Sequence, residues 1–337
     1  MRNKKYLYII ASCLFWVACT DTPDDSGLPA STHEVSFTGF LGEASFLSSK
    51  TGETVSRPFP NGATMGVYAY KTGHTAYEAN GENQKYECTN QVFSCIPVGQ
   101  LPLYWPTKGN LNFIAYSPYK ASMSPVTVPP SASITYPVDV TDQSTAMATD
   151  VLFATKAEVS GNHGPVQLTF GHALARLNII LEGAFGTEFV EQPYIRIKGL
   201  KTTADITISL EGANISNPGV ATDMVPFRTG KAEIRRDSIS MLVIPQELSI
   251  PANDNGLEFI YIKNGDDMSA DQYRFKLKPD AGILTNGKLV FKAGKEYTLT
   301  LTLKNKEAEI KNAHVEINDW IPGSNASGEG EATWPER

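Results

Sequence analysis

Residues 165–181, PVQLTFGHALARLNIIL, contain two short runs of alternating apolar and polar residues with a break between them. In 165–170 and again in 177–181, apolar side chains recur at every second position. A period of two is the pattern of β-strands, because successive side chains of an extended chain point to opposite faces. The segment therefore predicts that one β-domain ends and a second begins near residues 171–176.

The same alternation extends over most of the chain, with Gly, Pro, Asn and Asp between the runs. It predicts strands at 33–40, 64–70, 111–116, 165–170, 177–181, 194–197, 205–210, 238–244, 257–262, 272–277, 296–303 and 313–317. Helical patterning is scarce, and its only short candidates are 139–145 and the loop at 149–156. Many short strands favour β-sandwiches, so we expect an all-β fold with domains at 33–173 and 174–322. A Gly- and Ser-rich flexible tail is expected at 323–337.

Length and charge limit the classes of function. A chain of 337 residues is long enough for two domains, and its 41% hydrophobic content is normal for a packed globular protein. The formal net charge of −7 makes the chain a poor ligand for nucleic acid, which is itself strongly negative. No nucleic-acid partner is therefore expected.

The first residues form a targeting segment. Arg2, Lys4 and Lys5 precede an apolar run at 6–18, which is too short to span a bilayer as a helix of about 20 residues. This arrangement is typical of a signal peptide, assigned to residues 1–18. Its removal takes away three basic groups and no acidic one, so the formal charge falls from −7 to −10.

The end of this segment, Val17-Ala18-Cys19, resembles the lipobox of bacterial lipoproteins. The resemblance implies cleavage before Cys19, fatty acylation such as palmitate on Cys19, and a lipid anchor in the cell outer membrane. Ile10-Ala11-Ser12-Cys13 is an alternative lipobox with too little apolar sequence before it. Residues 19–32 then form a polar tether, in which 20–25 resemble the acidic surface-export signal of Bacteroidetes lipoproteins; a plain tether is the other interpretation.

Two cysteines, Cys88 and Cys95, remain in the predicted mature domains. They flank residues 89–91, where a hairpin turn is expected, and an exported protein can form a disulfide there. Two thiols or a metal-binding pair are the alternatives, although no cluster of His or further Cys supports a metal.

The sequence offers no motif typical of enzymatic chemistry. The five histidines are dispersed without metal-ligand spacing, and His172 is interpreted as a structural residue. The sequence has no Gly-x-Ser-x-Gly elbow, P-loop or dinucleotide fingerprint. We therefore predict a protein that is not an enzyme, with no catalytic residue, no cofactor and no metal.

Several motifs, taken together and in order, resemble the fimbrillin family of Bacteroidales, the Mfa-like and FimA-like subunits of type V pili. They are GVYAY (66–70), YWP (104–106) with LNFIAYSPY (111–119), DVLFA (150–154), LTFGHALARL (168–177), IPQ (244–246), FKAGKEY (291–297) and VEINDW (315–320). These motifs are distributed along almost the whole mature chain. The resemblance implies two tandem transthyretin-like β-sandwich domains, export as a surface lipoprotein, and assembly into an adhesive fimbrium.

The resemblance also implies assembly by strand exchange with other fimbrial subunits. A protease removes the N-terminal strand after Arg or Lys, and a neighbour's strand refills the groove. Here the removable strand is 35–41, with Val35, Phe37 and Leu41 on its apolar face. Arg57 is the candidate cleavage site and Lys50 the alternative; Arg57 can equally be a solvated loop residue before Pro58.

The tail 321–337 would belong to the donor segment of a stalk subunit, but it is small and polar and lacks alternating apolar residues. An anchor or accessory role is therefore open. The second hypothesis is a monomeric surface lipoprotein that binds glycans, host glycoproteins or other bacteria. Its candidate platform for stacking sugars consists of Tyr104, Trp105, Tyr116, Tyr119 and Trp320.

Overall fold

The structure is a computed structural model of the chain. It describes residues 33–42, 57–59, 61–72, 77, 81–90, 92–95, 101–123, 132–143, 150–161, 164–183, 194–224, 238–249, 257–262, 272–276, 288–304, 307–309 and 316–319. Within these ranges the chain forms strands and turns and no helix. The all-β prediction is therefore confirmed.

The strands of the first half of the chain are β1 Phe37–Leu41, β2 Arg57–Pro58, β3 Thr64–Tyr70, β4 Gln84–Thr89, β5 Val92–Cys95, β6 Leu111–Ser117, β7 Ser133–Asp139, β8 Leu152–Val159 and β9 Val166–His172. Those of the second half are β10 Ala175–Gly183, β11 Tyr194–Lys201, β12 Thr203–Ser209, β13 Gly212–Ser216, β14 Ala221–Met224, β15 Ser238–Val243, β16 Gln246–Ser249, β17 Glu258–Ile262, β18 Gln272–Lys276, β19 Lys288–Phe291, β20 Lys295–Lys304, β21 Glu307–Glu309 and β22 Glu316–Asp319.

Seven strands of the first half form a closed sheet. Their order is β1-β5-β4-β3-β6-β8-β9, and β9 pairs again with β1, while short β2 pairs with the end of β1. Closure leaves no open edge along this circuit. The first hydrophobic core lies inside it and includes Phe37, Tyr86, Phe113 and Phe170.

A second core lies outside this closed sheet and connects the two halves of the chain. The outer faces of β3 and β6 contribute Tyr68, Tyr70, Ile114 and Tyr116 to it. They share the core with the three-stranded sheet β13-β12-β7, in which β7 from the first half pairs with β12 from the second over seven residues. The predicted domains thus share a sheet, although the predicted boundary at 173–174 falls in the short link between β9 and β10.

The second half completes this core with smaller sheets. Strands β15, β10, β20 and β21 form one sheet, to which β22 adds through β20; β14, β11, β17 and β18 form another, and β16 pairs with β19. In the first of these sheets β10 runs parallel to β20 and antiparallel to β15. Among the described residues, each half-chain therefore contains one parallel strand pair, β1 with β9 and β10 with β20.

The individual strand predictions can be compared with these elements. Each predicted strand overlaps an observed one, and the hairpin expected between Cys88 and Cys95 is formed by β4 and β5. The helical candidate at 149–156 is wrong, because Leu152–Val159 is strand β8 and pairs with β6. Of the candidate at 139–145, Asp139 ends strand β7 and residues 144–145 lie outside the described residues.

Candidate functional site: the strand that closes the first sheet

Strand β1 closes the first sheet by pairing on both sides. All five of its residues, Phe37 to Leu41, pair in parallel with β9, opposite residues 166–170. On the other side its first two residues pair with β5 and its last two with β2. Without β1, the facing edges of β5 and β9 would lose their partners and the first core would open.

The residues before β1 extend this pairing. The Val35 amide donates to the Leu103 carbonyl at 2.7 Å, and the Trp105 amide donates to the His33 carbonyl at 3.0 Å. The Val166 amide donates to the Ser36 carbonyl at 2.8 Å. The segment that closes the sheet is thus longer than β1 and includes His33.

One face of this segment is inside the core. Val35 and Phe37 are fully buried and Leu41 is nearly so, whereas Ser36, Thr38 and Phe40 are only partly buried. The Phe37 ring contacts Tyr86 and Phe113 edge-on, with centroid distances of 5.0 and 5.3 Å. The three side chains that the sequence predicted on one face are therefore on one face.

The fourth inward position is Gly39, and the Phe93 ring of β5 occupies the space beside it. A Cβ atom at Gly39 would overlap this ring, with two further ring atoms at 3.1 and 3.2 Å. Phe93 is 1% exposed and packs against Phe59 and Phe170, at centroid distances of 5.1 and 6.2 Å. The ring is therefore held in place, and Gly39 is required for space.

The candidate cleavage residue lies beside the same strand. Arg57 and Pro58 form β2 and pair with Leu41 and Phe40 of β1. A cut after Arg57 would thus fall at the edge of the strand it releases. Lys50, the alternative, lies outside the described residues, as do Cys19, the tether 19–32 and the tail 323–337.

The cysteine pair lies in the hairpin next to β1. The backbone register sets Cys88 opposite Phe93 and Cys95 opposite Tyr86, so the two cysteines are not directly opposite one another. The Cys88 thiol is buried and donates to the Phe59 carbonyl at 3.6 Å. The disulfide stays a prediction.

Other candidate residues do not gather into a chemical site. Buried His172 lies with Nδ1 2.7 Å from Oδ2 of Asp150, at the link between the two halves. Of the proposed aromatic platform, Trp105 and Tyr116 are buried, Tyr104 and Tyr119 are half-buried, and Trp320 lies outside the described residues. The described part of this platform therefore offers little open surface for stacking a sugar.

The tyrosines of the second core are shielded from solvent. Burial raises the pKa of Tyr70 to about 12, with Glu211 adding to the effect. Burial also raises the pKa of Tyr68, Tyr116 and Tyr136 well above the usual range. Tyr116 donates to Oδ1 of Asn83 at 2.6 Å, whereas the hydroxyls of Tyr70 and Tyr136 have no hydrogen-bond partner among the described residues, so these rings serve mainly packing.

Gln143 is a buried residue that the sequence analysis missed. Its Oε1 accepts from the Leu242 amide at 2.7 Å, and its Nε2 donates to the Leu242 carbonyl at 2.9 Å and to the Val140 carbonyl at 3.0 Å. The side chain thus satisfies the backbone of β15 as a neighbouring strand would. A polar residue in a loop carries no pattern by which this contact could have been predicted.

The described ranges contain no group of three or more His, Cys, Asp or Glu that could hold a metal ion, and no helix that is long and apolar enough to cross a membrane. A cavity of about 10 Å³ lies in the second core and has room for about one water molecule. Its lining is Leu177, Leu257, Phe259, Leu289, Phe291, Tyr297 and Leu299.

Comparison with known proteins gives the family. A model of the fimbrillin-like family matches residues 51–320. A candidate cell adhesion protein from Bacteroides uniformis has a similar structure, with TM-score 0.57, 20% identity, and coverage of 85% of this chain and 99% of that one. Another, from Bacteroides ovatus, has TM-score 0.59 and 19% identity, and covers 86% and 98%. No curated protein matches the sequence.

Proposed function

The chain belongs to the fimbrillin-like family, and from this premise we propose that it is a structural or accessory subunit of a cell-surface fimbrium involved in adhesion. The subunits of this fimbrium would assemble by β-strand complementation. In each subunit β1 would leave the closed sheet, and a strand of a neighbouring subunit would take its place. The observation that carries this proposal is the pairing of residues 33–41: among the described residues β1 lies between β5 and β9, and this segment buries Val35, Phe37 and Leu41.

The energetics favour exchange over simple loss of the strand. Burial of these three side chains contributes roughly 5 to 9 kcal/mol, at about 1.5 to 3 kcal/mol each. A typical domain is stable by only about 5 to 15 kcal/mol, so an empty groove would leave the first sheet close to unfolding. A second strand with a similar apolar face would restore both the hydrogen bonds and the core.

The proposal includes the export and processing steps. The signal peptide 1–18 is removed, Cys19 carries the lipid, and 19–32 tethers the subunit to the outer membrane. Two transthyretin-like sandwich domains, 33–173 and 174–322, follow, with the tail at 323–337. Cleavage after Arg57, or after Lys50, then frees the segment that contains β1.

Processing is tested by intact mass and N-terminal sequencing of the protein from the native cell surface. We expect an N-terminus at Pro58 or Thr51, together with high-mass, SDS-resistant ladders. Arg57→Gln and Lys50→Gln variants identify the site, since only the variant at the true site should keep the N-terminal segment. An acylated Cys19 in a single monomer band would instead support the monomeric binding lipoprotein.

The anchor is tested separately by Cys19→Ala. This variant should leave an unacylated precursor and lose membrane association, whereas Cys13→Ala, the matched control, should not. Unchanged membrane fractionation of Cys19→Ala would overturn the anchor assignment without bearing on strand exchange.

A further inference from the structure

Gly39 lies against the Phe93 ring. Backbone conformation does not require a glycine at position 39, because Gly39 does not adopt a positive φ. The glycine is therefore present only because the Phe93 ring fills the place of a side chain. An aromatic ring lying across a glycine of the neighbouring strand is a known way to pin strand pairing. Here the ring belongs to the groove and the glycine to the strand that leaves it.

We infer that Phe93 selects the incoming strand: the segment that replaces β1 must carry glycine over the Phe93 ring, with large apolar residues two positions away on each side. The inference rests on the proposed function and names the chemistry of its partner. In this chain the pattern is Phe37-x-Gly39-x-Leu41. The requirement is independent of strand direction, because the pattern of large, small and large residues reads the same both ways.

The rigidity of the ring makes the requirement strict. Phe93 packs against Phe59 and Phe170, which also contact each other, and it is 1% exposed, so it has little room to rotate away. Overpacking of a filled core typically costs about 1 to 3 kcal/mol, which is about 5- to 150-fold in a binding constant. A donor with a large residue at this position would therefore be rejected.

The pattern also excludes one candidate donor. Within residues 321–337, the glycines are Gly323, Gly328 and Gly330, and none has a large apolar residue two positions away on both sides. The nearest to a match is Gly323, which has Ile321 before it and Asn325 after it. We therefore expect this tail to be a poor occupant of the β1 groove of a second copy.

The test is peptide exchange into the full mature chain. A specific protease site is placed within 43–56, and cleavage there leaves the β1 segment bound only by non-covalent contacts. Labelled peptides of residues 33–42 then compete with the resident segment. We compare the natural peptide with Gly39→Leu, with Thr38→Leu as a control that places the same side chain at a less buried position, and with a peptide of residues 321–337.

The natural and Thr38→Leu peptides should exchange with similar affinity, and Gly39→Leu should bind at least tenfold more weakly. In a Phe93→Ala protein this gap should shrink to less than threefold, because the space beside residue 39 is open. Equal binding of the natural and Gly39→Leu peptides, or a gap unchanged in Phe93→Ala, would overturn the selection by Phe93. Strong exchange by the 321–337 peptide would overturn it as well.

Failure of strand exchange has a different signature. If no peptide enters, including the natural one, the proposed assembly is wrong, and the pocket is then tested within the uncleaved chain. There, Gly39→Leu should lower the unfolding temperature and Phe93→Ala should reduce the effect of Gly39→Leu. Equal losses from Gly39→Leu with and without Phe93→Ala would show that the ring sets no size limit.

Discussion

Strands β1 and β10 hold equivalent positions in the two halves of the molecule, yet they differ in how firmly they are held. Each runs parallel to a late strand of its half, β9 or β20, and antiparallel to a second strand, β5 or β15. Their sequences share a pattern, VSFTGFL at 35–41 and IILEGAF at 179–185, with glycine in the fifth place of each.

The difference lies in the pairing and in the chain connection. Strand β10 pairs with β20 over eight residues and with β15 over six, whereas β1 pairs with β9 over five and divides its other side between β5 and β2. Strand β10 also follows β9 after only Ala173 and Leu174. A cut before or after β10 would separate the halves, but a cut after β1 would not. We therefore expect that pairing length and chain connection, rather than position in the sheet, decide which strand can be exchanged.

The largest expected effect comes from emptying the core under each strand in turn. Phe37→Ala should lower the free energy of unfolding of the first sheet by about 3 to 5 kcal/mol, since it leaves a cavity beside Tyr86 and Phe113. Hydrogen exchange should rise in 92–95 and 164–172 and remain slow in 175–183. Thr38→Val, in the same strand, should leave both regions close to wild type.

Ile179→Ala in β10 provides the counterpart. It should cost about 2 to 5 kcal/mol and raise exchange in 175–183 and 295–304. If both substitutions loosen both halves equally, the molecule unfolds as one unit, and β1 is no more releasable than β10.

A smaller effect is expected at the far edge of β15, the antiparallel neighbour of β10. Gln143→Leu removes the amide that pairs with both backbone groups of Leu242, and unsatisfied buried groups cost about 1 to 3 kcal/mol each. We expect a loss of about 2 to 4 kcal/mol, measured by denaturant unfolding.

Gln246→Leu is the matched control, because Gln246 also pairs with a backbone, through Lys201, but is only half-buried. Water can replace part of its bonds, so about 1 kcal/mol is expected. Equal losses at the two glutamines would mean that the edge of β15 is not held by Gln143.

The same comparison shows what could be predicted from sequence. The apolar face of β1 could be predicted, because alternation of apolar and polar residues indicates that one face of a strand is buried. Strand β8 was misread because only Ala154 of its eight residues is fully buried, so it carries no clear alternation. The closure of the sheet by β1 and β9 joins residues far apart in sequence, and no local pattern encodes such a pairing. The contact of Phe93 with Gly39 follows from that closure and was missed with it.

The smallest effect at neutral pH is expected at Tyr70, on the outer face of β3, in the core that joins the two halves. Its hydroxyl is buried without a hydrogen-bond partner among the described residues, so Tyr70→Phe should change stability at pH 7 by less than about 1 kcal/mol. An effect of Tyr70→Phe on stability should appear at alkaline pH. The pKa of Tyr70 is about 12 in the folded protein, against about 10 in an unfolded chain.

The unfolded chain therefore releases this proton between pH 10 and 12 while the folded protein retains it, so stability is full below pH 10 and falls as the pH rises. Tyr70 contributes a slope of at most about 1.4 kcal/mol per pH unit, which Tyr70→Phe should remove in denaturant unfolding from pH 9 to 12. A variant whose slope equals that of wild type would contradict this assignment. The Tyr70 side chain lies on the outer face of the closed sheet, in the core that joins the two halves, so alkaline pH should destabilise that core first. Phe37→Ala, which acts on the inner core under β1, should leave the slope unchanged.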